Sequence, residues 1–492
     1  MTKILFWIPN IENYGIASKF KEYDIYAMYD IWPNHKRFFK KQKLVNFSKE
    51  WYYDENINLG KKTTPNKEYL EEFEKRTGIK LWETYYAEKS FNKYNPYYKF
   101  SYSEALLIFE QECKFFESIL DEIRPDYLIM QRVARHQTFL LSEICKSRNI
   151  PVLTLEVSNF GFRFQICSSM ENISEEFKKY VPQKQFSKQE LFNYFFQYDS
   201  SKQNKTLLTK IPSIYVRNKD VAKNFIFHDN KKFQKHFARL GMSRFNMIKQ
   251  SIISIIKKSN VEKFVKQNLE YKINTKNRFI YFPLHTEPEA VLNLESKFFT
   301  NQIEVIKHIA KSLPASHILY VKDHPISTLK NSRDVNFYNE IQKIPNVVLL
   351  HHSISRDQII KNCDLVITIA GTSGLEAMFF DKPVIVLSNP SYSIIPFIHK
   401  IQNMEQLSNS IRDALLTKTD FETLATYVDF ILNKSFELDL VSINVDMNYR
   451  FYTMGIITFD KTLLHDEVID FLNCHDKAFE KIHEQFLKKM LI

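Results

Sequence analysis

Three short stretches of this 492-residue chain gather side chains that do chemistry. Residues 283–289 read Pro-Leu-His-Thr-Glu-Pro-Glu and set His285 beside Glu287 and Glu289, a combination suited to acid–base work or to binding hydroxyls. Residues 321–325 read Val-Lys-Asp-His-Pro, where Lys322 and His324 flank Asp323 and Pro325 ends the run. A cation and an imidazole at one strand end suit a phosphate or a nucleotide. Residues 370–377 read Ala-Gly-Thr-Ser-Gly-Leu-Glu-Ala, and Gly371 and Gly374 are two of only 8 glycines in the chain. A small-residue turn that opens a helix presents N–H groups, hydroxyls and a positive dipole end, which suits an anion. Each stretch also has a plainer explanation. Thr372 or Ser373 serves as an ordinary N-cap, His324 as a surface turn residue, and the glutamates as solvated loop carboxylates. A fourth stretch, 132–137, places Arg132, Arg135 and His136 together, with His136 as a base or acceptor contact and the arginines as anion holders. It too has a bland alternative, as the cap of the helix that follows. Glu156, at the end of the next strand, is a weaker candidate.

The elements that position these residues show in the apolar pattern. Runs at 279–282, 318–321, 347–350, 365–369 and 384–387 alternate with helix-period segments at 301–313, 334–342, 356–362 and 373–380. Uninterrupted apolar strands separated by helices indicate a parallel sheet covered on both faces, and such sheets bind ligands beyond the carboxyl ends of their strands. The first half repeats the grammar with strands at 4–8, 126–131 and 150–156 and helices at 103–123 and 137–147. The expected division is an N-terminal domain over 1–272 with a helical insertion at about 170–272, a C-terminal domain over 273–465, and a terminal amphipathic helix over 466–492. Within the insertion, a helix over 242–269 places Phe245, Ile248, Ile252, Ile255 and Ile256 on one face, with Arg244, Lys249, Lys257, Lys258, Lys263 and Lys266 around it. Such a helix lies on an anionic leaflet or, more plainly, packs on its own domain with a solvated lysine face. The terminal helix has the same two readings.

Composition removes other classes. Lys+Arg 68 against Asp+Glu 57 gives a net charge of +11, on a chain 44% hydrophobic and 25% charged, which excludes disorder, collagen and a disulfide scaffold. Neither G-x-G-x-x-G nor a P-loop occurs, which argues against a Rossmann dehydrogenase or a P-loop NTPase. The 5 cysteines are widely spaced and read as reduced thiols. No D-x-D occurs and His351 and His352 would point to opposite faces, so no metal is expected. The N-terminal apolar stretch is too short for a signal peptide, which points to a cytoplasmic protein with the inner face of the membrane as a further contact. The positive charges are scattered without a binding motif, so no nucleic-acid partner is expected.

The order Pro-Leu-His-Thr-Glu-Pro-Glu, Val-Lys-Asp-His-Pro, Asp364-Leu-Val-Ile-Thr and Gly-Thr-Ser-Gly-Leu-Glu-Ala followed by Asp381-Lys-Pro-Val-Ile resembles bacterial capsule polysaccharide synthesis proteins, over about residues 278–392. That group includes the Kdo transferases of capsule assembly and is similar, more distantly, to teichoic-acid polymerases and to bacterial sialyltransferases with their His-Pro and Ser/Thr motifs. The resemblance implies an α/β GT-B fold, two Rossmann-like doubly wound domains facing a cleft. It implies a glycosyltransferase that moves a sugar from a nucleotide-sugar donor, CMP-linked before UDP-linked, to a surface polysaccharide or lipid-linked glycan, with no metal and no other cofactor. Lys322, His324, Pro325, Gly371, Thr372, Ser373, Gly374 and Glu376 would then hold the donor, with His324 on the phosphate or nucleotide and Glu376 on the ribose. His136, His285 and Glu287 would be the catalytic side chains. The first half departs from the sialyltransferase pattern, since it lacks an Asp/Glu-Asp/Glu-Gly motif. The rival expectations are a sugar-nucleotide epimerase of the same fold, which needs no acceptor, and a non-catalytic scaffold that binds glycan or nucleic acid.

Overall fold

A computed structural model describes residues 1–59, 64–88, 90–91, 95–158, 160, 162–197, 234, 236–287, 296–324, 327, 333–401, 403–453 and 459–490. The chain forms two compact units. One comprises Met1–Glu171, Tyr198–Lys249 and Lys434–Ile492; the other comprises Asn172–Gln197 and Gln250–Asn433.

The first unit holds strands β1 (Lys3–Ile8), β2 (Asp24–Tyr29), β3 (Lys49–Tyr52), β4 (Tyr127–Gln131), β5 (Val152–Val157) and β6 (Arg163–Ser168). They lie in the order β6-β5-β4-β1-β2-β3, and a short strand, Phe436–Glu437, completes the sheet beside β6. The strands β1 to β5 run parallel, while β6 and Phe436–Glu437 are antiparallel additions. Alternate side chains of β1 enter two different cores. Ile4, Phe6 and Ile8 pack with Tyr14 and Phe479, whereas Leu5 and Trp7 pack with Phe109 and Phe116. A strand buried on both faces reads as a continuous apolar run, which is why Lys-Ile-Leu-Phe-Trp-Ile is legible. The helix Tyr102–Ile123 covers one face and starts at a capping box, Ser101 with Glu104.

The second unit holds β7 (Arg278–Pro283), β8 (His317–Lys322), β9 (Val347–Leu350), β10 (Leu365–Thr368), β11 (Val384–Val386) and β12 (His399–Lys400), all parallel. Their order, β12-β11-β10-β7-β8-β9, is that of a doubly wound Rossmann-type sheet, with the order reversing between β7 and β10. Both units are thus Rossmann-like.

The division of the chain differs from the expected one. Lys434–Ile492 returns to the first unit because Phe436–Glu437 pairs with β6 and the helices behind it fill that unit's core. The segment expected as one terminal helix is two, His465–Cys474 and Asp476–Met490. Phe471, Phe479, Ile482 and Phe486 are buried, so here packing is the correct reading of the apolar face. The expected insertion is split as well. Its start, Asn172–Gln197, belongs to the second unit, and residues 198–233 lie outside the described residues. Among the described residues, no helix is long and apolar enough to cross a membrane.

Candidate functional site

The reversal between β7 and β10 is where a sheet of this order opens a crevice, and the motifs converge there. The strands β7 and β8 end level, since the Leu284 N–H bonds the Lys322 carbonyl at 2.9 Å. His285 then reaches across to the turn after β10, where its Nε2 receives the Ala370 N–H at 3.2 Å. Thr368 braces the same turn by accepting the Gly371 N–H on Oγ1 at 3.0 Å. Gln302 fixes the loop after β7 from below. Its Oε1 accepts the His285 N–H at 2.8 Å, and its Nε2 donates to the His285 carbonyl at 3.1 Å and to Glu287 Oε1 at 2.6 Å.

A buried arginine ties the ends of β7 and β8. Arg333 donates from Nη2 to the His285 carbonyl at 2.5 Å and from Nη1 to Asp323, and Glu287 lies 3.8 Å away. Asp323 also accepts the Tyr338 hydroxyl at 2.5 Å and the His324 N–H at 2.7 Å. A guanidinium with its charge matched by buried carboxylates holds geometry at little net gain, because desolvation offsets most of the attraction.

Beside this frame stands a cationic group. Lys322 donates from Nζ to the Ile354 carbonyl at 2.6 Å. Burial first, and then the neighbouring Arg356 charge, push its ammonium down to about 8. Arg356 opens the helix Arg356–Asn362 and reaches the third motif, donating from Nη1 to Glu376 Oε1 at 2.6 Å. The same Glu376 oxygen accepts the Thr372 hydroxyl at 3.3 Å. Asp357 Oδ1 accepts Arg356 Nε and Nη2, each at 3.0 Å. The cluster thus sets the buried Lys322, Arg356 with its two carboxylate partners and the exposed Thr372 at the carboxyl edge of the sheet.

The structure brings Lys322, His285, Thr372, Ser373 and Glu376 together with an arginine that the sequence did not single out. Glu376 is buried beneath Arg356 and Thr372, so it orients them rather than extending from the surface. Gly374 is buried against Tyr392, and a Cβ there would overlap the phenol, whose hydroxyl bonds the Gly371 carbonyl. Its lack of a side chain serves packing. His324 is half-buried where β8 ends; Pro325 and Glu289 lie outside the described residues.

The three expected catalytic side chains are all enclosed. His285 and Glu287 are buried in the bonds given above. His136 lies in the first unit at 0% exposure, with Nδ1 2.9 Å from Glu88 Oε2 and Nε2 2.8 Å from Glu112 Oε1. Burial alone would strip its proton, but the two carboxylates outweigh that and hold its pKa up to about 9. Burial likewise favours protonating Glu88, and the bonds from His136 reverse it, holding the carboxyl below its usual range. An imidazolium bracketed by two carboxylates has no lone pair for a substrate proton; it braces the loop before the helix His136–Ser147. Arg132 pairs with Glu156 at 3.2 Å in the same unit. Arg333 and Arg356 carried no sequence signal of their own, since an arginine in a polar loop reads as solvated until the fold shows its partners.

Residues 191–428 match the family model for capsule polysaccharide biosynthesis proteins. The chain is similar to that family over this segment. The capsule-type match takes in β7 to β12 and all three motifs of the second unit, and so extends the resemblance beyond 278–392. No curated protein matches the sequence. Among solved structures, the UDP-GlcNAc 2-epimerase of Methanocaldococcus jannaschii matches at 14% identity and a TM-score of 0.25, over 88% of this chain and 99% of that one. The beta Kdo 2,7 transferase of Thermosulfurimonas dismutans KpsC matches at 11% identity and 0.32, over 73% and 89%. The beta Kdo 2,4 transferase of the same protein matches at 9% identity and 0.34, over 71% and 87%.

Proposed function

We propose that the chain is a GT-B glycosyltransferase of capsule or surface-glycan synthesis. It transfers a sugar from a nucleotide-sugar donor, CMP-linked before UDP-linked, to a polysaccharide or lipid-linked acceptor at the inner face of the membrane. The observation that carries this reading is the cation pair Lys322 and Arg356, set beside Thr372 at the switch point of a parallel sheet that lies within the capsule-type segment. Arg356 is shared with Asp357 and Glu376, so the charge offered to a departing phosphate rests chiefly on Lys322, with the Thr372 hydroxyl beside it. In this reading Lys322 and Arg356 hold the phosphate electrostatically, Thr372, Ser373 and His324 contribute hydrogen bonds, and no bound metal takes part. His285, Gln302 and Arg333 hold the strand ends in place, so that the donor meets a preformed site.

Thermal unfolding with CMP, CDP, UDP, GDP and ADP tests it, because a ligand of the native state raises apparent stability. One cytidine or uridine nucleotide should raise the Tm, with the rise lost in Arg356→Ala and His324→Ala. A Tm indifferent to every nucleotide and to intact CMP- and UDP-sugars would overturn the donor site. Interconversion of a free nucleotide sugar without acceptor would convert the reading to an epimerase.

A further inference from the structure

The helix Arg244–Asn268 carries apolar residues on both sides. Met247, Val261, Val265 and, just past its end, Leu269 are buried and account for how it is held. On the opposite side Phe245, Ile248, Ile252, Ile253, Ile255 and Ile256 are exposed by 45% to 74%. At 100° per residue the exposed set, Ile253 apart, falls within one face, and Met247, Val261 and Val265 fall on the reverse. Scattered surface aliphatics are ordinary, but six within the first half of one helix are not. The charge beside them is mostly positive. Arg244, Lys249, Lys263 and Lys266 fall at the edges of that face, whereas Lys257 and Lys258 fall on the reverse; the helix's one acid, Glu262, lies 3.8 Å from Lys258, and Asp334 shares a groove with Ile253, Ile256 and Lys257.

We propose that this face docks on an anionic lipid surface, with Phe245, Ile248, Ile252, Ile255 and Ile256 entering the headgroup boundary and Arg244, Lys249, Lys263 and Lys266 meeting lipid phosphates. Charge complementarity selects the occupant. A second copy of this chain would bring the same four cations against themselves, whereas an anionic leaflet supplies the opposite charge to a basic face. The inference deepens the membrane contact of the proposed function and rests on that reading for its purpose only; the surface stands on its own residues.

Co-sedimentation of the full-length protein with phosphatidylcholine vesicles, and with vesicles containing about a third phosphatidylglycerol, tests it. The protein should pellet with the anionic vesicles and stay in solution with the neutral ones. Raised salt should release it. The double variant Ile252→Glu/Ile255→Glu, both at exposed positions, should keep its circular dichroism and Tm while vesicle affinity falls at least about tenfold. Should that variant misfold, Lys249→Glu/Lys263→Glu gives the same test through charge. Wild-type protein that ignores anionic vesicles, or variants that bind as well as wild type, would overturn the proposal. So would wild-type protein that is dimeric by light scattering, does not bind vesicles and becomes monomeric in the variant, since a second copy would then be the occupant. Nucleotide-induced stabilisation, read on the same samples, separates the two proposals: its persistence without vesicle binding removes only the membrane face.

Discussion

Lys322 is the side chain whose titration bears most directly on the candidate site. A buried ammonium beside Arg356, with its pKa pushed down to about 8, loses its charge within the range where enzymes are assayed. On the proposed function a bound phosphate draws on that charge, so nucleotide affinity should be present below pH 8 and decline as pH rises through it. The nucleotide-induced rise in Tm should therefore shrink several-fold between about pH 7 and pH 9, since each pH unit beyond the pKa removes the charged form tenfold. Lys322→Met should give a small rise at every pH, with no alkaline limb. A wild-type response flat across that range would place the phosphate elsewhere. The three motifs were legible because strand ends in a doubly wound sheet are where ligands bind. The individual roles were not, because burial is a property of the fold: nothing in Gly-Thr-Ser-Gly-Leu-Glu shows that Glu376 turns inward to Arg356, or that Gly374 makes room for Tyr392.

Strands and helices carry the next level of the argument. Most elements of the second sheet were legible because doubly covered strands are uninterrupted apolar runs, and the boundaries of β9 and of the helix Arg356–Asn362 fall where the pattern puts them. The strands β2 and β3 were missed. Asp-Ile-Tyr-Ala-Met-Tyr and Lys-Glu-Trp-Tyr are short and mixed, and β3 is an edge strand with one buried residue. The helix His136–Ser147 was legible, yet the His136 at its start was expected as an open base, because the sequence does not show that Glu88 and Glu112 close on it. Its folded pKa of about 9 lies above its ordinary value, so its contribution to stability is complete below about pH 6.5 and is lost as pH rises through 9. The difference is worth about 3 kcal/mol. The urea midpoint of the wild type should fall over that interval. His136→Gln should lower the unfolding free energy at neutral pH by about 3–5 kcal/mol, since two buried carboxylates lose their cation, and should flatten the alkaline decline. An unchanged alkaline slope in the variant would show that another group carries it.

For the molecule as a whole, the chain path was the least legible feature, because periodicity identifies strands without saying which strands are neighbours. The two-residue strand Phe436–Glu437 has no pattern at all, yet it marks the return of Lys434–Ile492 to the first unit. That return is structurally necessary. Phe451, Phe471, Phe479, Ile482 and Phe486 are buried in one cluster with Ile4, Phe6, Tyr14 and Phe20, and Gly15 sits so close to Phe479 that a Cβ would overlap its ring. Each such side chain contributes about 1.5–3 kcal/mol on burial, so removing the segment forfeits a sum comparable to the 5–15 kcal/mol that holds a typical domain folded. A chain stopped after Asn433 should therefore lose the first unit's fold while Gln250–Asn433, whose core lies apart from that cluster, keeps its own. Limited proteolysis with mass spectrometry reads this directly. In the truncated protein, cleavage should spread through β1 to β6 at protease levels that leave β7 to β12 intact, whereas both sheets resist in the full chain. Equal protection of both sheets after truncation would mean that the terminal helices lie on a core already closed, and that the first unit folds without Lys434–Ile492.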